Sequence, residues 1–138
     1  MIFTAAIDRD GWLHTGDMGI IDQDGYLFIK GRCKNMILSS NGQNIYPEEI
    51  EDKLNNMPYI SESIVIEKEG KLVALIYPDF DLVNEEKITD EKLDELMTAN
   101  LKEINQQLPA YSQLNTYKLY NEEFEKTPKR SIKRFLYQ

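Results

Sequence analysis

Residues 63–77 read Ser-Ile-Val-Ile-Glu-Lys-Glu-Gly-Lys-Leu-Val-Ala-Leu-Ile-Tyr, and the rest of the chain can be built around them. Ser63–Glu67 and Leu72–Tyr77 are short runs rich in β-branched residues, which favour extended backbone. Lys68-Glu69-Gly70-Lys71 between them is typical of a tight turn, because glycine takes positive φ at no steric cost. The stretch therefore predicts two paired strands.

Helices are predicted on both sides of this strand pair. Pro47 suits the first position of a helix that runs to about Asn55. Ile50 and Leu54 are four residues apart and should face the core. The positive helix end favours the three acidic residues near its start, which are Glu48, Glu49 and Glu51. A second helix is predicted over Asp90–Gln107, with an apolar stripe formed by Leu93, Leu96, Met97, Leu101, Ile104 and Leu108.

The remaining segments complete an α+β pattern. Residues 78–88 are predicted to be an acidic loop, and Tyr117–Tyr120 a third strand. Residues 122–129 are predicted to be a further loop ahead of a basic tail. This order indicates a small sheet of about three strands with helices packed on it.

Two β-hairpins are predicted ahead of this unit. The first joins Met18–Asp22 to Tyr26–Lys30 through Gln23-Asp24-Gly25, and the second joins Asn35–Ser39 to Gln43–Tyr46. These residues hold too few apolar side chains to form a core alone, so we expect them to be the edge of a larger sheet. A domain boundary is then expected within residues 30–36.

Composition and charge limit the classes of function. The chain has 138 residues. Its one cysteine excludes an internal disulfide. Its formal net charge of −8 disfavours nucleic acid as a partner. No apolar run reaches the roughly 20 residues that cross a bilayer. Five basic residues and no acid lie in residues 126–138, namely Lys126, Lys129, Arg130, Lys133 and Arg134. This tail indicates either a phosphate partner or a solvated surface.

Three ordered motifs carry a family resemblance. They are Gly-Trp-Leu-His-Thr-Gly-Asp at 11–17, Gly-Tyr-Leu-Phe-Ile-Lys-Gly-Arg at 25–32 with Lys34, and Gly-Gln-Asn-Ile-Tyr-Pro-Glu-Glu-Ile-Glu at 42–51. Together they resemble the adenylate-forming superfamily of acyl-CoA synthetases, peptide-synthetase adenylation domains and luciferases. Within the superfamily, the third motif is similar to acyl-CoA synthetases rather than to peptide synthetases. Leu72–Phe80 and the acidic segment after it resemble bacterial long-chain fatty acid–CoA ligases.

The resemblance implies a two-step reaction for the intact enzyme. A fatty acid carboxylate attacks the α-phosphate of ATP, accompanied by Mg2+, and the thiol of coenzyme A then displaces AMP. Residues 1–33 would end a large N-terminal domain, and residues 34–138 would form a mobile C-terminal domain that rotates between the steps. The 138 residues alone are expected to be inactive. The expected location is cytoplasmic or peripheral at the inner membrane face.

Five positions match residues that contact ligands or move in that family. Asp17 would bind the ribose hydroxyls, Arg32 the nucleotide, Ile29 the adenine and Gly42 the pantetheine arm, while Lys34 would be the hinge. A carboxylate accepts two vicinal hydroxyls, and a guanidinium offers five fixed donors. Structural alternatives remain open for all five: a turn cap, an ion pair, a core isoleucine, a hairpin glycine and a surface lysine.

The adenylation lysine of the family has no counterpart here. The C-terminal segment Lys-Thr-Pro-Lys-Arg-Ser-Ile-Lys-Arg places Ser131 at the matching position, and serine supplies no cation. We expect Lys129, ahead of Lys133, to take its place; Arg130 is a further candidate, and slow adenylation or specialisation for thioester formation are the alternatives. Another acyl- or aryl-CoA synthetase, or a non-catalytic anion-binding module, remains the alternative to the fatty acid ligase.

Overall fold

A three-stranded sheet forms the centre of the protein in a computed structural model, which describes residues 9–12, 14–39 and 41–138. Strands β5 (Ile60–Lys68) and β6 (Lys71–Pro78) are antiparallel, and β7 (Leu114–Leu119) runs parallel to β6. Glu69 and Gly70 form the β5–β6 turn with φ of 55° and 78°. The predicted strand pair is confirmed, but the third strand begins at Leu114, three residues earlier than predicted, because Leu114 is buried and pairs with β6.

In the described residues, three α-helices accompany this sheet: α1 (Pro47–Asn55), α2 (Phe80–Glu85) and α3 (Asp90–Gln107). Helices α1 and α3 have their predicted bounds. Helix α2 lies where an acidic loop was predicted, so that prediction is wrong. The Asp79 side chain caps α2 by accepting from the Leu82 amide at 3.2 Å, and Val83 is buried, which together stabilise a short helix.

The sheet has an apolar cluster on each face. Val65, Ala74 and Ile76 belong to the cluster that includes the buried side chains of α1 and α3. Ile64, Ile66 and Leu75 point the other way, to a cluster with Phe124 and partly buried residues of the C-terminal tail: Tyr120, Ile132 and Tyr137. The tail therefore forms a layer of its own, and this layer positions the basic segment. Two stripe residues of α3, Leu96 and Leu108, are only half-buried.

Both predicted N-terminal hairpins are confirmed. Strands β1 (Asp17–Ile21) and β2 (Leu27–Arg32) are antiparallel, as are the two-residue strands β3 (Ile37–Leu38) and β4 (Asn44–Ile45). The first hairpin exposes 51–69% of five apolar side chains, namely Ile20, Ile21, Leu27, Phe28 and Ile29. None of these five joins either buried cluster of the described residues. Leu13 of the first motif and Ser40 of the 39–42 loop lie outside those residues.

Candidate functional site

Asp17 and Arg32 face each other where the β1–β2 hairpin ends. Their Cα atoms are partners in the strand register, and Arg32 Nη1 donates to Asp17 Oδ1 at 2.9 Å. The Arg32 and Asp17 side chains are 49% and 31% exposed. An ion pair with this exposure contributes about 0–1 kcal/mol to stability, so another partner can replace it at little cost.

The glycine before Asp17 makes this approach possible. Gly16 has φ +78°, and a Cβ at this position would lie 3.2 Å from Arg32 Nη2. The backbone amide of Asp17 donates to Thr15 Oγ1 at 3.2 Å, which fixes the turn into β1. The ion pair is the structural role that the sequence left open for Arg32. Nucleotide binding by Asp17 and Arg32 stays a prediction.

Ile29 lies on β2 three residues before Arg32 and is 62% exposed. Its Cδ1 would be 3.6 Å from a Cβ built at Gly19, the residue paired with it on β1. Ile29 is thus a surface side chain of the described residues rather than a core isoleucine. An exposed aliphatic side chain suits the face of a flat ring such as adenine, and this role of Ile29 stays a prediction.

The predicted hinge lies in a 3-10 turn, Cys33–Asn35, directly after β2. Lys34 is exposed at its centre. Glu48 of α1 spans this turn, because its Oε1 accepts from the Arg32 amide at 3.3 Å and from Asn35 Nδ2 at 2.8 Å. Its other oxygen, Oε2, is buried without a hydrogen-bond partner among the described residues.

A second contact joins the same two elements. Lys30 Nζ of β2 lies 2.9 Å from Glu49 Oε1 of α1. Gly31 allows the helix to approach, since a Cβ there would be 2.5 Å from Glu48 Oε2. The arrangement of α1 against β2 is therefore held across Lys34 by the polar contacts of Glu48 with the Arg32 amide and of Glu49 with Lys30. A rotation about Lys34 that separates α1 from β2 has to break both.

Gly42 ends a short exposed turn between β3 and β4. It has φ +80°, and a Cβ there would meet nothing within 4 Å. The turn is closed by Ser39, whose carbonyl accepts from the Gly42 amide at 3.0 Å and whose Oγ accepts from the Gln43 amide at 3.0 Å. Gly42 thus has the space beside its backbone that a narrow chain would need, and the positive φ that a hairpin glycine has. Gly42 can therefore serve both as a hairpin glycine and as the predicted contact for the pantetheine arm.

The basic tail forms a closed loop whose tip is exposed. Lys126 and Ile132 form an antiparallel bridge, and the Thr127 amide donates to the Ser131 carbonyl at 2.7 Å. Lys129, Arg130 and Ser131 are exposed within it. Arg130 has φ +65°, a backbone region that costs a residue with a Cβ about 1 kcal/mol. We call residues 127–131 the basic loop.

Lys133 is placed differently from Lys129. It is half-buried, and its amide donates to the Glu125 carbonyl at 2.7 Å. No hydrogen bond or ion pair among the described residues joins Lys129 or Lys133 to Asp17 or Arg32. The structure therefore brings together the two predicted nucleotide contacts but leaves both predicted catalytic lysines apart from them.

Sequence reasoning missed one functional candidate on α1. Glu51 is buried, and its carboxylate forms a bidentate ion pair with Arg134 through two contacts of 2.7 Å. A signal for this was present in the helical spacing. Pro47, Ile50, Glu51 and Leu54 occupy positions i, i+3, i+4 and i+7, so Glu51 falls on the buried stripe and needs a buried cation.

The described residues contain neither a cluster of metal-ligating side chains nor a membrane-spanning helix. No group of three or more histidine, cysteine, aspartate or glutamate side chains among them could hold a metal ion. These residues therefore do not fit a Mg2+ site. Of the helices in this part of the chain, none combines the length and the apolar character that a bilayer span requires.

Known proteins match this chain over much of its length. A long-chain-fatty-acid–CoA ligase of Gallus gallus is 39% identical over 82 residues, which cover 59% of this chain and 11% of the relative. A long-chain-fatty-acid–CoA ligase of Mycobacterium tuberculosis is 44% identical over 86 residues, covering 59% and 17%. An indoleacetate–CoA ligase of Aromatoleum aromaticum is 47% identical over 77 residues, covering 53% and 15%. The chain thus spans less than a fifth of these relatives.

The fold also matches solved structures. The adenylation domain of a carboxylate reductase from Mycobacterium chelonae superposes with a TM-score of 0.82 at 18% identity, covering 96% of this chain and 22% of that one. At this identity the likeness concerns the fold alone. The family model described as AMP-binding enzyme C-terminal domain matches residues 34–137. This chain belongs to the family of AMP-binding enzyme C-terminal domains.

Proposed function

We propose that this chain is the C-terminal part of an ATP-dependent long-chain fatty acid–CoA ligase. The enzyme joins a fatty acid carboxylate to the α-phosphate of ATP with release of pyrophosphate, and then passes the acyl group to the thiol of coenzyme A with release of AMP. The preceding part of the intact enzyme would supply the acyl pocket and the phosphate loop. The two fatty acid ligases among the relatives support this class of substrate.

The Asp17–Arg32 pair is the observation that carries the proposal. Asp17 offers acceptors for the two ribose hydroxyls, and Arg32 keeps its charge and its donors while it contacts the nucleotide. The 2.9 Å contact holds both groups in one place before any ligand arrives. Ile29 is exposed on the same hairpin, and an exposed aliphatic side chain suits the face of the adenine ring.

The cation for adenylation is assigned to Lys129. Charge develops on the α-phosphate as the carboxylate attacks, and a fixed cation near it lowers the barrier. Lys129 is exposed at the tip of the basic loop, whereas Lys133 is half-buried at its base. Ser131 can donate a hydrogen bond but supplies no positive charge. The exposure favours Lys129, with Lys133 as the second candidate.

The hinge and the thioester step involve two further residues. Lys34 is exposed in the turn between β2 and the matched domain, so its side chain can stay solvated while its backbone changes. Gly42 presents open backbone to the pantetheine arm of coenzyme A. Mg2+ would neutralise phosphate charge, and its ligands would come from ATP and other parts of the enzyme.

One relative favours a second substrate. Indoleacetate is an aryl acid, and the ligase that uses it is 47% identical over the matched residues. An aryl-CoA ligase is therefore the alternative, since the acyl pocket lies outside this chain. A cytoplasmic enzyme, peripheral at the inner membrane face, remains our proposal for its location.

The test is pyrophosphate release by the full-length enzyme with ATP and a series of fatty and aryl acids. Asp17→Asn should raise the KM for ATP at least tenfold, because one charged acceptor of the ribose is lost. Asp24→Asn, in the turn of the same hairpin, is the matched control and should change nothing. Wild-type enzyme that releases no pyrophosphate with any acid would contradict the proposal.

A further inference from the structure

A buried ion pair connects the C-terminal tail to the first helix. Arg134 Nη1 and Nη2 each donate to one oxygen of the Glu51 carboxylate at 2.7 Å. The two side chains are only 14% and 10% exposed, and they lie 83 residues apart in sequence. We call this pair the Glu51–Arg134 clamp.

The clamp also involves the central sheet. Glu51 Oε2 accepts from the Val65 amide at 2.7 Å, and Arg134 Nη2 donates to the Val65 carbonyl at 3.4 Å. Val65 is fully buried on β5. The clamp therefore fixes Arg134 against both α1 and β5, and these are rigid elements of the fold.

A buried ion pair is weak grounds for a purely stabilising role. Taking two charges out of water costs about as much as their attraction returns, and apolar pairs often serve stability as well. What apolar side chains lack is the fork geometry, in which two parallel hydrogen bonds fix direction. The geometry of the clamp therefore fixes the position of the chain segments on either side of Arg134.

The element next to Arg134 in the chain is the basic loop. Its two ends are joined by the Lys126–Ile132 bridge, and the Lys133 amide donates to the Glu125 carbonyl at 2.7 Å. Lys126 Nζ holds the other end, 2.5 Å from Glu62 Oε1 on β5. The chain on both sides of the loop is therefore anchored to β5, through Lys126 and Arg134, and the exposed tip of the loop carries Lys129.

We propose that Glu51 and Arg134 are positioning residues for adenylation. The clamp sets the base of the basic loop, and the short loop transmits that placement to the ammonium group of Lys129. A misplacement of about 1 Å at a reacting centre costs up to 100-fold in rate. This assignment rests on the proposed function, because the loop has a target only if the enzyme adenylates an acid.

The test compares Glu51→Gln/Arg134→Met with wild type in the full-length enzyme. The glutamine still accepts from the Val65 amide and the methionine fills similar volume, so the fold should persist with little change in Tm. Trypsin cleavage after Lys129 and Arg130, followed by mass spectrometry, should become at least tenfold faster because the loop opens more often. Lys92→Met, which removes an exposed ion pair with Glu95, is the control.

Kinetics give the second readout. In the double variant, kcat for pyrophosphate release should fall about 100-fold with KM for ATP unchanged. Thioester formation from supplied acyl-adenylate should stay at the wild-type rate. Unchanged loop cleavage, or unchanged pyrophosphate release in an active enzyme, would overturn the positioning role. A wild-type enzyme without pyrophosphate release would overturn the proposed function itself.

Discussion

The family resemblance predicts that Ser131 takes the position of the adenylation lysine, and the loop around it accommodates a serine. Ser131 is exposed, and its carbonyl accepts from the Thr127 amide at 2.7 Å, so the loop keeps its shape with a serine there. Lys129 is two residues away on the same exposed tip. A cation can thus move along the loop without a change in the fold.

Exchange of these residues gives a direct prediction. Lys129→Ala should lower the rate of pyrophosphate release by about 100-fold, the usual cost of losing one charge-stabilising group. Lys129→Ala/Ser131→Lys should recover most of that rate, since it returns a cation to the same loop. Lys102→Ala, an exposed lysine on α3, is the control. A large loss in Lys133→Ala with none in Lys129→Ala would reverse the assignment.

At the scale of elements, local pattern predicted most of the fold. The β5–β6 pair, α1 and α3 follow from residue type and spacing, because their signals lie within a few residues of each other. Helix α2 was missed, since its acidic residues suit a loop and only the Asp79 cap and the burial of Val83 stabilise it. The Glu51–Arg134 clamp joins residues that no local pattern connects. The Asp17–Arg32 positions came from the family resemblance, not from spacing.

Glu48 gives a prediction for the turn at Lys34. Its carboxylate binds groups on both sides of this turn, so it favours the arrangement of α1 against β2 that the structure shows. Glu48→Ala removes the one hydrogen bond of this carboxylate that crosses Lys34, from the Arg32 amide, and a hydrogen bond to a charged group contributes about 1.5–3 kcal/mol. The half-reaction that uses this arrangement should therefore slow about tenfold, and the other should not.

The measurement is the rate of each half-reaction taken separately, pyrophosphate release and thioester formation from acyl-adenylate. Asp52→Ala, an exposed acid on the same helix, is the matched control. Equal slowing of both half-reactions by Glu48→Ala would show that Glu48 prefers neither state. That result would show that the contacts of Glu48 do not control the rotation about Lys34. It would leave the proposed nucleotide contacts of Asp17 and Arg32 unaffected.

At the scale of the whole molecule, charge is divided between an acidic body and a basic tail. The tail is held against the body by two ion pairs, Glu51–Arg134 and Glu62–Lys126. Tyr137 adds a contact, because its hydroxyl accepts from the Glu125 amide at 2.8 Å and its ring packs on Phe124. The tail is thus an integral layer of the fold, and its solvent-exposed residues are those of the loop tip, 128–131, together with Phe135, Leu136 and Gln138.

The dependence of stability on alkaline pH should reveal one of these ion pairs. The hydrogen bond with Glu62 raises the pKa of Lys126 above its ordinary 10.5. Burial opposes this shift, and the negative charges of Glu62 and Glu123 add to it. The pKa of Lys126 is higher in the folded than in the unfolded chain. The ion pair therefore contributes fully to the free energy of unfolding below pH 10.5, and this contribution is lost as pH rises through the folded pKa.

Wild-type Tm should therefore exceed that of Lys126→Met by a margin that is constant near neutral pH and shrinks above pH 10.5. The pKa values of Tyr59, through its hydrogen bond with Glu86, and of Tyr117, through burial, are also raised. Both phenols destabilise the fold at alkaline pH in wild type and variant alike, so the difference between the two isolates the lysine. Glu62→Gln should narrow the same margin, because Lys126 then has no carboxylate on β5. A margin that stays constant to pH 12 would show that the ion pair contributes nothing to holding the tail.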